Sequence, residues 1–369
     1  MNPTTTSTPT TAIELTSPTD AQAVTVKVAA DVGNSRSLTL VQEGDRVIPI
    51  VMPSARSLEV VFSAQVFGRR GLPPASWSHL GPDDHVVEIT QGVEQFVGRL
   101  AVDYSASVSS GRGSDQRYSD GTTLPFILAS LGAAFPKATT FNVDLATMLP
   151  IQLWALHATA AATSLKRSIK FRYNGRDLTA KIGSVQVLRE GEAGYYGLPN
   201  PPKGPTFIID GGGRTVNVAM FDRGQYVDGD TIDNMGVEVA IDAVNTRLIS
   251  DGIRPLTFAE RIELLDSVRE GLPFHIVARN TRQRVDTIAR TYFDATAATL
   301  GQELHRLGDM GSAESIVFIG GAAYPKFFGE ALQESIPAIE LATDPETRNV
   351  AGALVKLGGT AKKVAKRSR

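Results

Sequence analysis

The run Asp210-Gly211-Gly212-Gly213-Arg214-Thr215 directly follows the apolar stretch Phe207-Ile208-Ile209. A buried strand that ends in an aspartate, three glycines and a hydroxyl suits phosphate chemistry. Glycine turns bring backbone N–H groups close to anionic oxygens with no Cβ in the way. The carboxylate suits Mg²⁺, a hard cation that keeps several waters and arrives with a triphosphate. A similar turn stands 179 positions earlier (210 minus 31), where Val26-Lys27-Val28-Ala29-Ala30 runs into Asp31-Val32-Gly33-Asn34-Ser35. A short alternating run follows each turn, Leu38 and Leu40 or Val216 and Val218, so each opens a strand. Neither has the spacing and Lys-Ser/Thr ending of a P-loop, and neither opens a helix as a dinucleotide fingerprint must. Together the turns predict two similar halves closing on one phosphate-bearing ligand. Asp31 and Asp210 would then bracket the metal and the attacking water, with Asn34, Ser35 and Thr215 bonding phosphate oxygens. A third cluster, Gly320-Gly321-Ala322-Ala323-Tyr324, ends the apolar run Ile316–Ile319 and leaves room for a flat base on the backbone.

These turns need strands and helices to hold them. Val24–Ala30 reads as a strand, followed by a hairpin of Ser37–Gln42 and Arg46–Met52, and by strands Val86–Ile89 and Gln95–Val102. Thr139–Thr147 reads as a strand stopped by Leu149-Pro150, with a helix running on to about Lys166. Asn174-Gly175 marks a hairpin between Ile169–Tyr173 and Asp177–Ile182. The proline-rich stretch Asn200–Pro205 reads as a linker. Beyond it come a strand at 206–210, a hairpin bent at Asp222-Arg223-Gly224, and one long helical region from Gly236 to about Leu307. Strand Ser315–Ile319, a helix, a short strand near Ile339–Leu341 and a last helix from Glu346 complete the chain. Strands and helices alternate in both halves, so the class is α/β. The expected division is a disordered arm over 1–23, a first domain over 24–204, a second over 205–345, a C-terminal helix over 346–360 and a basic tail over 361–369.

Composition narrows the function. Of 369 residues, 42% are apolar and 21% charged, and the net charge is −2, so the whole molecule is no electrostatic magnet for nucleic acid. With no cysteine there is no thiol catalysis, disulfide or cysteine metal site, which fits a cytoplasmic location. The five histidines lack ligand spacing, so no zinc site is expected. No apolar run is long enough to span a membrane, and the Thr/Pro-rich start is no secretory signal.

The three glycine clusters, in this order, resemble the phosphate-1, phosphate-2 and adenosine motifs of the actin superfamily of ATPases. Asp144–Gln152 resembles the connecting strand and helix between the phosphate motifs, and Asn349-Val350-Ala351-Gly352-Ala353 the late helix that returns to the first domain. Within the superfamily the chain is most similar to ParM-type bacterial and archaeal actins. The Asp-Val-Gly-Asn opening, Val97-Gly98-Arg99-Leu100-Ala101, the Leu-Pro and the helix start at Asp233–Ala243 carry that likeness. The resemblance implies two RNase H-like domains around an interdomain ATP cleft, polymerisation into filaments, and plasmid movement through a DNA-binding adaptor. It implies ATP/ADP and Mg²⁺ as ligands. Asp210 and Asp31 would take the catalytic and metal roles, the metal being held through water. Gly33, Asn34, Ser35, Gly211, Gly212, Gly213, Arg214, Thr215, Gly320, Gly321, Ala322 and Tyr324 would hold the nucleotide, and Gly236 and Glu238 would contact the nucleoside. ParM-type proteins place a glutamate early in the connecting helix, and Gln152 is the expected counterpart here. A glutamine orients water but does not abstract its proton.

Other members of the fold are less well matched. A sugar kinase needs a separate base aspartate, and a DnaK-type chaperone needs a further substrate domain. MreB- and FtsA-like proteins use an amphipathic end segment, and neither end here has an apolar face, so no direct membrane binding is expected. The alternatives kept open are an MreB/FtsA-like cell-shape or division protein and a nucleotide-binding polymer scaffold with little hydrolysis.

Overall fold

A computed structural model describes residues 23–33, 35–57, 81, 83–91, 93–104, 109–110, 122–278, 280–307 and 310–360. The expected arm up to residue 22, the basic tail and Asn34 lie outside the described residues, and Ala23 opens the first strand.

The first half opens with strands β1 (Ala23–Val32), β2 (Arg36–Glu43) and β3 (Arg46–Pro53). Strands β4 (Ala55–Ser57), β5 (Asp84–Thr90) and β6 (Val93–Gly98) lead into helix α1 (Arg99–Tyr104), and strand β7 (Ser109–Ser110) follows. Then come helix α2 (Leu124–Ala134), strand β8 (Thr140–Leu149), helix α3 (Ile151–Leu165), strands β9 (Ser168–Tyr173) and β10 (Arg176–Arg189), and the short helix α4 (Glu192–Tyr196). The second half runs through β11 (Thr206–Gly211), β12 (Val216–Asp222), β13 (Gln225–Ile232), α5 (Val237–Ser250) and α6 (Phe258–Glu270). After these come β14 (His275–Ala278), β15 (Thr281–Arg284), α7 (Asp286–Leu307), β16 (Ser315–Ile319), α8 (Glu330–Ser335), β17 (Ile339–Leu341) and α9 (Arg348–Lys356).

Two sheets repeat one topology. The larger starts β3-β2-β1-β8-β10, and the smaller is β13-β12-β11-β16-β17. In each, the first three strands are antiparallel, and the next two add parallel to the central strand that carries the aspartate turn. Each central strand is apolar because it pairs on both edges inside a mixed sheet whose faces are covered. β11 is buried along its whole length. The second sheet packs on α5, α7 and the chain around Phe327 and Phe328, the first on α2.

Helices α4 and α9 follow the last strand of their respective sheets and cross between them. α9 lays Val350, Ala351, Ala353 and Leu354 on Ala29, Leu38, Leu40 and Met148 of the first sheet. Glycines allow the close crossing: a Cβ on Gly352 would lie 1.7 Å from the carbonyl oxygen of Ala193 and 2.6 Å from the Gly197 nitrogen. Gly352→Ala is therefore expected to cost about 3 kcal/mol of stability, read from denaturant unfolding. A change within experimental error would contradict this close packing.

The long helical region expected from Gly236 to Leu307 is instead three helices and a hairpin. Pro255 stands in the break before α6, and Gly271 caps α6 in the left-handed region at φ 70°, with Pro273 just beyond. The strand expected over Gln95–Val102 ends at Gly98, whose φ of 69° breaks it, and Leu100 and Ala101 are buried by helix α1. The strand expected to end at Ile182 continues to Arg189. A register shift between Ile182 and Ser184 interrupts the alternation that would have revealed its second half.

Candidate nucleotide site between the two sheets

The two aspartate turns close in the same way. The Gly33 N–H donates to the Arg36 carbonyl at 3.0 Å, and the Gly212 N–H donates to the Thr215 carbonyl at 2.9 Å. In each turn the donor stands two positions after the aspartate and the acceptor five. Both turns line one cleft of about 1100 Å³, counting its open mouth, together with Gly320, Gly321 and Tyr324.

The second turn is set by the start of α5. Backbone N–H groups of Val237 and Glu238 donate to the carbonyls of Gly212 (3.3 Å) and Gly213 (2.7 Å). In a trans peptide, C=O and the following N–H point oppositely. The N–H groups of Gly213 and Arg214 therefore point away from the helix, as anion donors must. Gly236 serves this packing rather than the ligand: a Cβ there would lie 2.3 Å from the Gly213 carbonyl group. Gly236, Glu238, Arg214 and Ala322 do not line the cleft. The Arg214 guanidinium pairs with Asp242 on α5 at 2.9 Å, and Ala322 packs beneath Gly211.

Asp210 is buried, and burial raises its carboxyl to about 6, against hydrogen bonds from the Asn349 side chain and the Gly191 backbone. The Asn349 amide donates to it at 2.7 Å, which ties α9 to the second turn. Gly320 makes room for the aspartate. At φ 86° it takes no L side chain readily, and a Cβ would lie 2.5 Å from Asp210 Oδ1. Mg²⁺ is implied by the fold. Two carboxylates from opposite sheets, beside a glycine cradle with no side chains, fit an ion held mainly by water and phosphate.

Gln152 is not brought to this site. Its amide donates to Asp230 Oδ1 at 2.8 Å and the Thr231 carbonyl at 3.2 Å, and it does not line the cleft. The reason is topological. β8 is the fourth strand of the first sheet's repeat rather than its last, so α3 returns along the sheet to β9, and its first turn touches the second domain at β12 and β13 rather than at the cleft. The last strand is β10, and the connecting helix is α4. At the end of β10 stands Glu190, which lines the cleft with Asp31 and Asp210. Its Oε2 accepts from the Asn217 amide at 2.7 Å. The signal was a charged Arg-Glu before Gly191, hidden by the irregularity earlier in β10.

Contacts across the cleft mouth hold the halves together. Ser35 Oγ donates to Glu238 Oε1, and Arg36 pairs with Asp266. Phe96 and Leu100 pack against Ile262 and Ala259 of α6. Deeper in, Arg269 pairs with Asp266 (2.8 Å) and Glu346 (3.2 Å), and its guanidinium lies 5.5 Å from the Tyr324 ring centre. Leu265, Tyr324 and Phe327 beside it give a flat apolar wall for a base.

Two sheets with one strand order, facing each other across paired aspartate–glycine turns, define an actin-like fold of two domains. Solved structures agree. The chain matches the archaeal actin homologue Ta0583 with TM-score 0.69 and 18% identity, over 90% of this chain and 99% of that one. It matches ParM from a 15-stranded Clostridium botulinum filament with TM-score 0.70 and 16% identity, over 90% and 99%. Bacillus thuringiensis ParM with ATP matches with TM-score 0.64 and 13% identity, over 90% and 98%. No family model and no curated protein matches the sequence.

Proposed function

We propose that this chain is an actin-like filament protein that binds Mg·ATP between its two domains and hydrolyses it there. The observation that carries this reading is the pair of identically closed aspartate turns on one cleft. The domains divide at 24–204 and 205–345, with 346–360 returning to the first; the two sheets and the packing of α9 support that division. Moving plasmid DNA in the cytoplasm through a DNA-binding adaptor is the further part of the reading, supported by the likeness to ParM structures.

Within the site, N–H groups of the two turns bind phosphate oxygens, Thr215 adds a hydroxyl donor, and Ser35 adds another once its hydroxyl turns from Glu238. Asp31 and Asp210 would hold Mg²⁺ through water, and the ion would offset the negative charge of the triphosphate. Glu190 orients the attacking water from the first domain and can accept its proton, a role not open to Gln152, whose amide is engaged by Asp230 and Thr231 outside the cleft. Leu265, Arg269 and Tyr324 receive the base.

Thermal unfolding tests the binding step. At a free Mg·ATP concentration 100 times its Kd, the native state should gain about 2.7 kcal/mol, seen as a raised Tm. EDTA should remove most of that gain. No shift at millimolar Mg·ATP would rule out this cleft as a nucleotide site.

A further inference from the structure

Helix α3 is fifteen residues long and carries no charge: Ile151-Gln152-Leu153-Trp154-Ala155-Leu156-His157-Ala158-Thr159-Ala160-Ala161-Ala162-Thr163-Ser164-Leu165. Only Ile151, Ala161 and Leu165 are buried, and Leu156 is 74% exposed. A helix facing water over most of its surface normally carries charges there. Its small Ala and Thr residues let another chain approach closely. Beside it runs the edge strand β13, tied on by the Gln152–Asp230 hydrogen bond and by Arg189, whose guanidinium lies 3.7 Å from the Trp154 ring centre and 4.6 Å from that of Tyr226. β13 adds the exposed carboxylates of Asp228 and Asp230, which alternate onto one face of the strand. The resulting ledge is apolar along the helix and acidic along the strand.

The same chain carries a matching projection. The two-stranded hairpin β14–β15 stands outside both main sheets. Val277 and Arg282 are a cross-strand pair on it, so they share one face. Val277 is 69% exposed, and Arg282 is exposed too. An apolar knob beside a cation complements an apolar helix beside carboxylates.

We infer that the hairpin of one copy docks on the α3–β13 ledge of the next, giving a head-to-tail contact that extends without closing. This rests on the filament reading and names its surface. The ledge is also wired to the site. Asn217 Oδ1 accepts from the Ile151 N–H at 3.0 Å, while its amide holds Glu190. The arriving copy therefore presses on a helix whose first turn shares an asparagine with the water-orienting carboxylate.

Two variants, Leu156→Glu and Val277→Glu, test the contact in full-length protein with Mg·ATP. Each removes one side of the joint and lies outside the nucleotide cleft, so each should keep the Mg·ATP-induced rise in Tm. Alone, each should stay unassembled at ten times the critical concentration of the unmodified chain. Mixed in equal amounts at that concentration, they retain one intact ledge and one intact hairpin and should form 1:1 dimers that grow no further, seen by light-scattering mass. Normal assembly of either variant alone would overturn the docking proposal. So would a mixture that stays monomeric while both variants bind nucleotide and the unmodified chain assembles. Failure of the unmodified chain to assemble would instead defeat the filament reading itself.

Discussion

Replacing Glu190 by alanine is expected to slow phosphate release about 100-fold while leaving Mg·ATP binding within a few-fold of the original. A factor of 100 corresponds to about 2.7 kcal/mol of barrier, within the range of a single general base or water-orienting group. Binding should survive because the proposed phosphate contacts are the N–H groups of the two turns, and the Glu190 carboxylate is turned toward Asn217 at 2.7 Å. Alanine also leaves the Asn217 amide without this acceptor, so a stability loss of about 1 kcal/mol should accompany it. Glu190→Gln separates the two roles. It keeps an acceptor and can still orient water, so it should recover stability and part of the rate. Gln152→Ala should change the rate less than two-fold, because its amide is engaged by Asp230 and Thr231. Single-turnover phosphate release on the three variants checks this. A large Gln152 effect with a small Glu190 effect would reverse the assignment.

Asp210→Asn should cut turnover by at least about 100-fold and also change how stability of the nucleotide-free protein depends on pH. Burial holds the Asp210 carboxyl near 6, above the ordinary carboxylate value of 3.8. A carboxyl raised on folding binds its proton more tightly in the native state. Its contribution to stability is therefore complete below the unfolded value and disappears as pH rises through about 6. Between pH 7 and pH 5 the unmodified chain should gain about 1 kcal/mol relative to Asp210→Asn, measured by urea unfolding at each pH. Mg·ATP should reverse the preference, because a carboxylate that holds the proposed metal must be ionised. Affinity for Mg·ATP should thus fall below pH 6 in the unmodified chain, a fall absent from the variant. Parallel urea curves for both proteins across this range would show that Asp210 does not carry the shifted proton.

The parts legible in the sequence were those written locally. Asp31-Val32-Gly33 and Asp210-Gly211-Gly212 each combine an apolar strand, a carboxylate and glycine within a few residues, and no tertiary context changes what such a turn offers. Asn174-Gly175 is legible for the same reason: both residues take positive φ, 46° and 81°, as a tight hairpin requires. What was not legible depends on neighbours distant in sequence. That β8 is followed in its sheet by β10 is a pairing across 39 to 40 residues (179 minus 140, 189 minus 149), with no local mark. Without it, Leu149-Pro150 looks like the end of the first domain's last strand, and Gln152 is read into the cleft where the fold places Glu190. Glu238 and Gly236 read as ligand contacts because they follow the second turn. In the fold one clasps Ser35 and the other makes room for the Gly213 carbonyl. The exposure of α3 was hidden too, since an apolar helix in sequence normally reads as a buried one.

Light scattering of the unmodified chain at rising concentration, with phosphate release followed in the same cuvette, tests nucleotide-driven assembly. The expected result is a scattering rise that needs both ATP and Mg²⁺, a sharp critical concentration, and phosphate release that lags behind assembly. No scattering rise with Mg·ATP at concentrations well above those at which nucleotide binding saturates would contradict it.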